Sequence, residues 1–336
     1  MHTTILETDA LTIGYRVSRK PDTIIAEDID VSIQAGQLIA VLGPNGAGKS
    51  TLLRTLAGMQ LPLSGNVRLM GDDLQRLSSA QLAQRLSVVL TERTSPGLLN
   101  GYALVALGRH PYTGWTGALS EHDGAMVRWA VKVVGAADFA ARPLAELSDG
   151  QRQKIYIARA LAQEPELMIL DEPTAYLDLP RRVETMHLLK HLARETGRAI
   201  LLSTHDLDLA LRTADRLWLM PGGQALRTGT PEDLVLNGAF EAAFHSEGVT
   251  FDSWTGAFTV NRPQNGSIAL IGSGLTAVWT RRALEREGFT VVDGHATDTE
   301  HVEILNGTQP ASWRLHRDAT VSEYESIQDL IDGLKD

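Results

Sequence analysis

The sequence predicts an α/β fold built on buried parallel strands, followed by a second, smaller α/β unit. Three observations predict it. A glycine-rich stretch, "GPNGAGKST" at 43–51, lies between an apolar run and a helical pattern. Two further apolar runs, "ELMILDEP" and "RAILLSTHD", are bounded by polar turns and separated by a helical stretch at 180–195. That alternation is expected of parallel strands with crossover helices. A Gly/Pro/Asn-rich break, "NRPQNGS" at 261–267, then precedes a fresh apolar run, "IALIG", which marks a linker and a new unit.

Composition agrees with two domains. The chain has 336 residues, 43% of them apolar, enough for sizeable cores. Its net charge of −10 is spread without a basic run, which argues against nucleic acid as a partner. With no cysteine there is no disulfide, thiolate metal site or thiol nucleophile, consistent with a reducing compartment. The opening "MHTTILETDALTIGY" lacks the charged-then-apolar layout of a secretory leader, and no run of 18 apolar residues is present, so a soluble chain is expected.

In chain order, short β-rich runs such as "VSIQ" and "QLIAVLG" occupy residues 10 to about 70, and residues 74 to 163 read as mostly helical. A strand runs into Gly43 and a helix begins near Lys49. Between them, the glycines of Gly43-Pro44-Asn45-Gly46-Ala47-Gly48 let successive N–H groups face a phosphate, aided by the helix N-terminus. Lys49 would reach the outer phosphates and the Ser50 hydroxyl a Mg²⁺, with Thr51 beside it. In "LMILDEP" an apolar strand delivers Asp171 to the Mg²⁺ shell and Glu172 to polarise an attacking water. Alone, two acids ending a strand are more often a solvated turn; behind such a cradle the functional reading leads.

Taken together and in order, these motifs resemble the ATPase subunit of an ABC transporter over residues 1 to about 258. "LSDGQRQ" at 147–153 matches that family's signature motif, "AYLDL" at 175–179 its D-loop, and "STHDL" at 203–207 its switch-histidine segment. The resemblance implies a P-loop NTPase domain over 1–260, with a RecA-like core, an antiparallel β subdomain and a helical subdomain at about 75–160. It implies ATP and Mg²⁺ as cofactors, and a homodimer in which each ATP lies between one P-loop and the partner's signature helix. Tyr15 would lie against adenine. Ser148 and the Gly150 backbone would touch the γ-phosphate in trans, Gln151 would support that helix end, and Asp178 belongs to the D-loop. Ser148 is equally an ordinary helix N-cap. His205, alone a satisfied strand-end histidine, would hold the γ-phosphate and attacking water in line. The implied setting is the cytoplasmic face of the inner membrane, docked on a permease and served indirectly by a substrate-binding protein.

Two positions depart from the family pattern. Asp149 stands where glycine is usual, and its carboxylate is expected to point away from a polyphosphate. Thr91 stands where a metal-reaching glutamine is usual; it could contact Mg²⁺ only through water, and Glu92 only if the loop shifts by one residue. "VALGRHPYTGW" at 105–115 is similar, through Arg109 and Pro111, to a segment of ATPases serving iron–siderophore, haem and cobalamin importers, though a plain Gly/Pro turn fits it too. The alternatives are another importer class or a soluble non-transport ABC ATPase. Beyond 261, Gly272, Gly274 and Ala277 fit G-x-G-x-x-A with Asp293 as a ribose acid, but one βαβ unit is half of a dinucleotide fold. The region 261–336 therefore reads as a small accessory domain for dimer contact or regulation, with "WRLHR" as a strand and "SEYESIQDLIDGL" as a final amphipathic helix.

Overall fold

The computed structural model describes all residues except 1–2, 18–20, 91–98, 115–116, 245–248, 254–255, 261–264, 295–299, 306–310, 318–319 and 336. The chain divides into two compact units, one of residues 1–246 and 251–257, the other of residues 247–250 and 258–336.

The first unit opens on β1 (Thr4–Tyr15), which starts earlier than the β-rich region read from the sequence. Glu7, Thr8 and Asp9 obscure its first half, and a left-handed Ala10 (φ 45°) breaks its alternation. There follow β2 (Thr23–Ile29), β3 (Ser32–Gln34), β4 (Leu38–Leu42), α1 (Lys49–Leu56), β5 (Ser64–Leu69) and β6 (Asp72–Asp73). Strands β2-β1-β5-β6, with β3 also on β1, make an antiparallel sheet. Next come α2 (Ser79–Arg85), β7 (Leu86–Val89), α3 (Gly101–Ala106), α4 (Glu121–Val133) and α5 (Asp149–Ala162). The chain continues through β8 (Leu167–Leu170), α6 (Leu179–Thr196), β9 (Ala199–Ser203), α7 (Leu207–Thr213), β10 (Arg216–Leu219), β11 (Arg227–Gly229), α8 (Pro231–Leu236) and α9 (Ala239–Ala243). Two short strands, β12 (Val249–Asp252) and β13 (Ala257–Val260), fall where the units divide.

The central sheet runs β11-β10-β4-β9-β8-β7, parallel throughout except for the edge strand β11. β4, β8 and β9 are buried along their whole length, as continuous apolar runs in a sheet covered on both faces should be. In register, Val41 faces Ser203 and Leu170 faces Leu202, so these three strands end side by side. Their carboxyl ends carry the glycine-rich loop, Asp171–Glu172 and His205, where open α/β sheets place ligands.

Helices α3, α4 and α5 share one core with this sheet. The "GRHP" segment is a 3-10 helix over Leu107–Tyr112, and Arg109 within it is 1% exposed. Arg109 Nε donates to Asp123 (2.8 Å); Nη1 donates to the Ala162 carbonyl (2.7 Å) and to Glu164 (2.6 Å). Hydrogen bonds from Ser120, then from Arg109, hold the Asp123 carboxyl at about 2 against an ordinary 3.8. A depressed carboxyl contributes stability that is complete above the unfolded value and lost as pH falls through the folded one. Asp123→Asn should therefore flatten the fall in stability between pH 4 and 2, a change of up to about 2 kcal/mol in urea titrations. Arg109→Met leaves the buried Asp123 charge without its cation, still held by Ser120, and should cost about 3–5 kcal/mol at neutral pH.

The second unit comprises β14 (Ser267–Ile271), α10 (Gly274–Arg286), β15 (Thr290–Asp293), β16 (His301–Leu305), β17 (Ser312–Arg317), β18 (Thr320–Tyr324) and α11 (Ile327–Lys335). Its sheet runs β15-β14-β16-β17-β18, with β15-β14-β16 parallel and the rest antiparallel. "WRLHR" lies in β17 as expected. Ser322, Glu323 and Tyr324, read as helix, belong instead to β18: Tyr324 pairs with Trp313, and Glu323 accepts from Arg314 at 2.6 Å. The helix starts only after Ser326, whose hydroxyl accepts the Asp329 N–H.

Candidate active site

β4 leads into a loop that only glycine permits at two points. A Cβ at Gly43 would lie 2.2 Å from the Met220 carbonyl oxygen; one at Gly48 would lie 2.2 Å from Ile25 Cγ2, with φ already at 101°. Pro44, Asn45 and Gly46 form the exposed crest and Ala47 is buried beneath. α1 then begins at Lys49, whose ammonium is buried and donates to the carbonyls of Gly43 (2.7 Å) and Pro44 (3.1 Å). Burial draws the Lys49 ammonium below the ordinary lysine value, partly offset by the charges of Glu172 and Asp171. The Tyr15 hydroxyl lies 2.9 Å from Thr51 Oγ1, which holds a half-exposed ring beside the loop.

The Ser50 hydroxyl donates to Asp171 Oδ1 at 3.4 Å. Glu172 adopts a left-handed backbone (φ 50°), and its carboxylate meets His205 Nε2. Ser203, a residue the sequence did not single out, ties the two acids together: its Oγ donates to Asp171 Oδ1 (2.6 Å) and accepts the Glu172 N–H (2.9 Å). Its only signal was its place two residues before His205. The structure thus gathers Tyr15, Lys49, Ser50, Thr51, Asp171, Glu172 and His205 around the carboxyl ends of β4, β8 and β9. Ser50 and Asp171 bring two hard oxygen donors together, a donor type that suits Mg²⁺.

The remaining candidates serve their own helix starts. Ser148 Oγ accepts from Gln151 N (3.3 Å), while the Gln151 side chain accepts from Ser148 N (3.0 Å), a capping box that opens α5 with Gly150 in its first turn. Asp149 is turned back onto Arg152 (2.6 Å). Asp178 caps α6 through the Arg181 N–H (3.0 Å). Thr91 and Glu92 lie outside the described residues. In the second unit, Asp293 is paired with Arg281 of α10.

A family model for the ABC transporter matches residues 26–175, and one for the iron ABC transporter C-terminal domain matches residues 265–335. The chain is 39% identical over 293 residues to an uncharacterised ABC transporter ATP-binding protein of Methanocaldococcus jannaschii, covering 87% of this chain and 99% of that one. The chain belongs to the ATP-binding proteins of ABC transporters. This ABC ATPase is also 37% identical to a cobalamin import ATP-binding protein of Halobacterium salinarum, over 83% of this chain and 72% of that protein. It is 37% identical to an iron(3+)-hydroxamate import ATP-binding protein of Bacillus subtilis, over 68% of this chain and 84% of that protein. Among solved structures it is similar to a chain of an inward-facing ABC transporter assigned to the metal-chelate type (TM-score 0.62, 27% identity, 72% of this chain and 89% of that chain). It is similar, too, to a dimeric ATP-binding cassette bound to ADP and phosphate (TM-score 0.55, 26% identity, 64% and 93%). ATP hydrolysis is the activity of the family to which this ABC ATPase belongs.

Proposed function

We propose that this ABC ATPase is the energy-coupling subunit of an importer for iron chelates, haem or cobalamin. Its setting is the cytoplasmic face of the membrane, docked on separate permease subunits that receive cargo from a binding protein. The observation that carries this reading is the convergence of Lys49, Ser50, Asp171, Glu172 and His205 at the carboxyl ends of β4, β8 and β9, in a chain whose relatives are import ATP-binding proteins for cobalamin and iron(3+)-hydroxamate. Residues 1–260 form the ATPase domain and 261–336 an accessory domain.

Ser50 and Asp171 would hold Mg²⁺, which would neutralise charge on the phosphates. Lys49 leaves its two loop carbonyls for the outer phosphates. Glu172 accepts a proton from water as the general base, and His205, already on the Glu172 carboxylate, keeps the attacking water in line. Ser148 and Gly150 meet the γ-phosphate of a second copy. A Cβ at Gly150 would meet only the flexible Arg181 side chain, no nearer than 3.4 Å, so packing within this chain does not demand a glycine there. The bare backbone at Gly150 leaves its N–H open to another molecule's phosphate. Purification of the tagged chain from native membranes should recover a polytopic permease, and a cargo-loaded binding protein should raise ATPase activity in proteoliposomes. Recovery of no membrane partner would overturn the importer reading.

A further inference from the structure

We infer that Ser203 is a positioning residue for hydrolysis, holding both acidic residues of the site through a single hydroxyl; this rests on the ATPase reading above. Ser203 is the last residue of β9 and is fully buried. Register places it against Val41 of β4, while Leu202 before it faces Leu170 of β8. Its Oγ therefore lies where β8 ends and Asp171 begins. A hydroxyl has one proton to give and lone pairs to accept with. Here the proton goes to Asp171 Oδ1 at 2.6 Å and a lone pair takes the Glu172 N–H at 2.9 Å.

The second bond matters because of the backbone it holds. Glu172 sits at φ 50°, a left-handed conformation that residues with a Cβ adopt only under constraint from their surroundings. It is fastened from one short segment at both ends: Ser203 takes its N–H and His205 meets its carboxylate. "AILLS" is apolar up to its last residue, and an apolar side chain at 203 would suit the core equally well. It would leave the Glu172 N–H without this acceptor and Asp171 without this donor. Among the described hydrogen bonds Ser203 reaches the cradle only through Asp171, whose Oδ1 the Ser50 hydroxyl also meets, so loss of the hydroxyl falls on the acidic pair before nucleotide capture.

The test is steady-state ATPase of the full chain with Ser203→Ala and Ser203→Thr. The alanine variant should lose about 10²-fold in kcat, the scale of a roughly 1 Å misplacement, with KM for ATP within about threefold of wild type. Threonine, which keeps the hydroxyl, should recover most of the rate. In single-turnover experiments on a Glu172→Gln background, Ser203→Ala should add little, because residues acting as a unit are not additive. If the alanine variant does not fold, Ser203→Cys carries the same comparison, with a weaker donor at nearly the same volume. Wild-type kcat in Ser203→Ala, a loss that threonine does not recover, a rise in KM that accounts for the loss, or full additivity with Glu172→Gln each overturn the inference alone. A wild-type chain with no ATPase activity overturns the ATPase reading as well.

Discussion

Glu172→Gln is expected to lower steady-state ATP hydrolysis by about 10²–10⁴-fold while leaving ATP bound, because it removes the proton acceptor and keeps the shape of the side chain. The amide can still meet His205, and the backbone bond to Ser203 is untouched, so the loop keeps its geometry. ATP without turnover should then accumulate a dimer, visible as an ATP-dependent shift in size-exclusion chromatography with light scattering. Near-normal activity would show that another group takes the proton. Lys49→Ala provides the contrast: it should lose the thermal protection that ATP gives wild type, which amounts to about 2.7 kcal/mol at a hundredfold excess over Kd.

Mixing two inactive variants is expected to restore activity. Lys49→Ala chains lack a working cradle, and Ser148→Arg chains put a bulky cation where a partner's phosphate would come. A heterodimer of the two holds one intact pairing of cradle and signature helix. An equal mixture should therefore recover about a quarter of wild-type turnover if the two sites act independently. Ser148→Arg also removes a helix cap worth about 1 kcal/mol, so its melting temperature must be followed alongside. No recovery after demonstrated subunit exchange would mean that "LSDGQRQ" serves its own chain and not a partner.

The cradle was legible because its chemistry dictates its sequence: Gly43 and Gly48 occupy places where any side chain would collide. The acid pair was legible because buried parallel strands are apolar to their ends, so two carboxylates after "LMIL" stand out. Ser203 was not, since a serine closing a strand is common and its partners are 31 and 32 residues away. Arg109 was singled out by resemblance, yet its physical role came only from the fold. Burial among Asp123, Glu164 and the Ala162 carbonyl cannot be read from a Gly/Pro-rich segment. The final strand of the second unit was mistaken for helix because local pattern says nothing of the neighbour that β17 provides.

The reciprocal cap at the start of α5 bears on how two copies part. Ser148 and Gln151 already satisfy each other within one chain. A partner's γ-phosphate would accept the Ser148 O–H proton, whereas the cap uses an Oγ lone pair, so both bonds fit on one hydroxyl and the helix end stays capped with or without the phosphate. Because the helix start is already capped within one chain, association draws its strength from the nucleotide's charge and not from a missing cap in the free subunit. A clasp made this way closes while the third phosphate is present and has little to keep it shut afterwards, as repeated turnover requires.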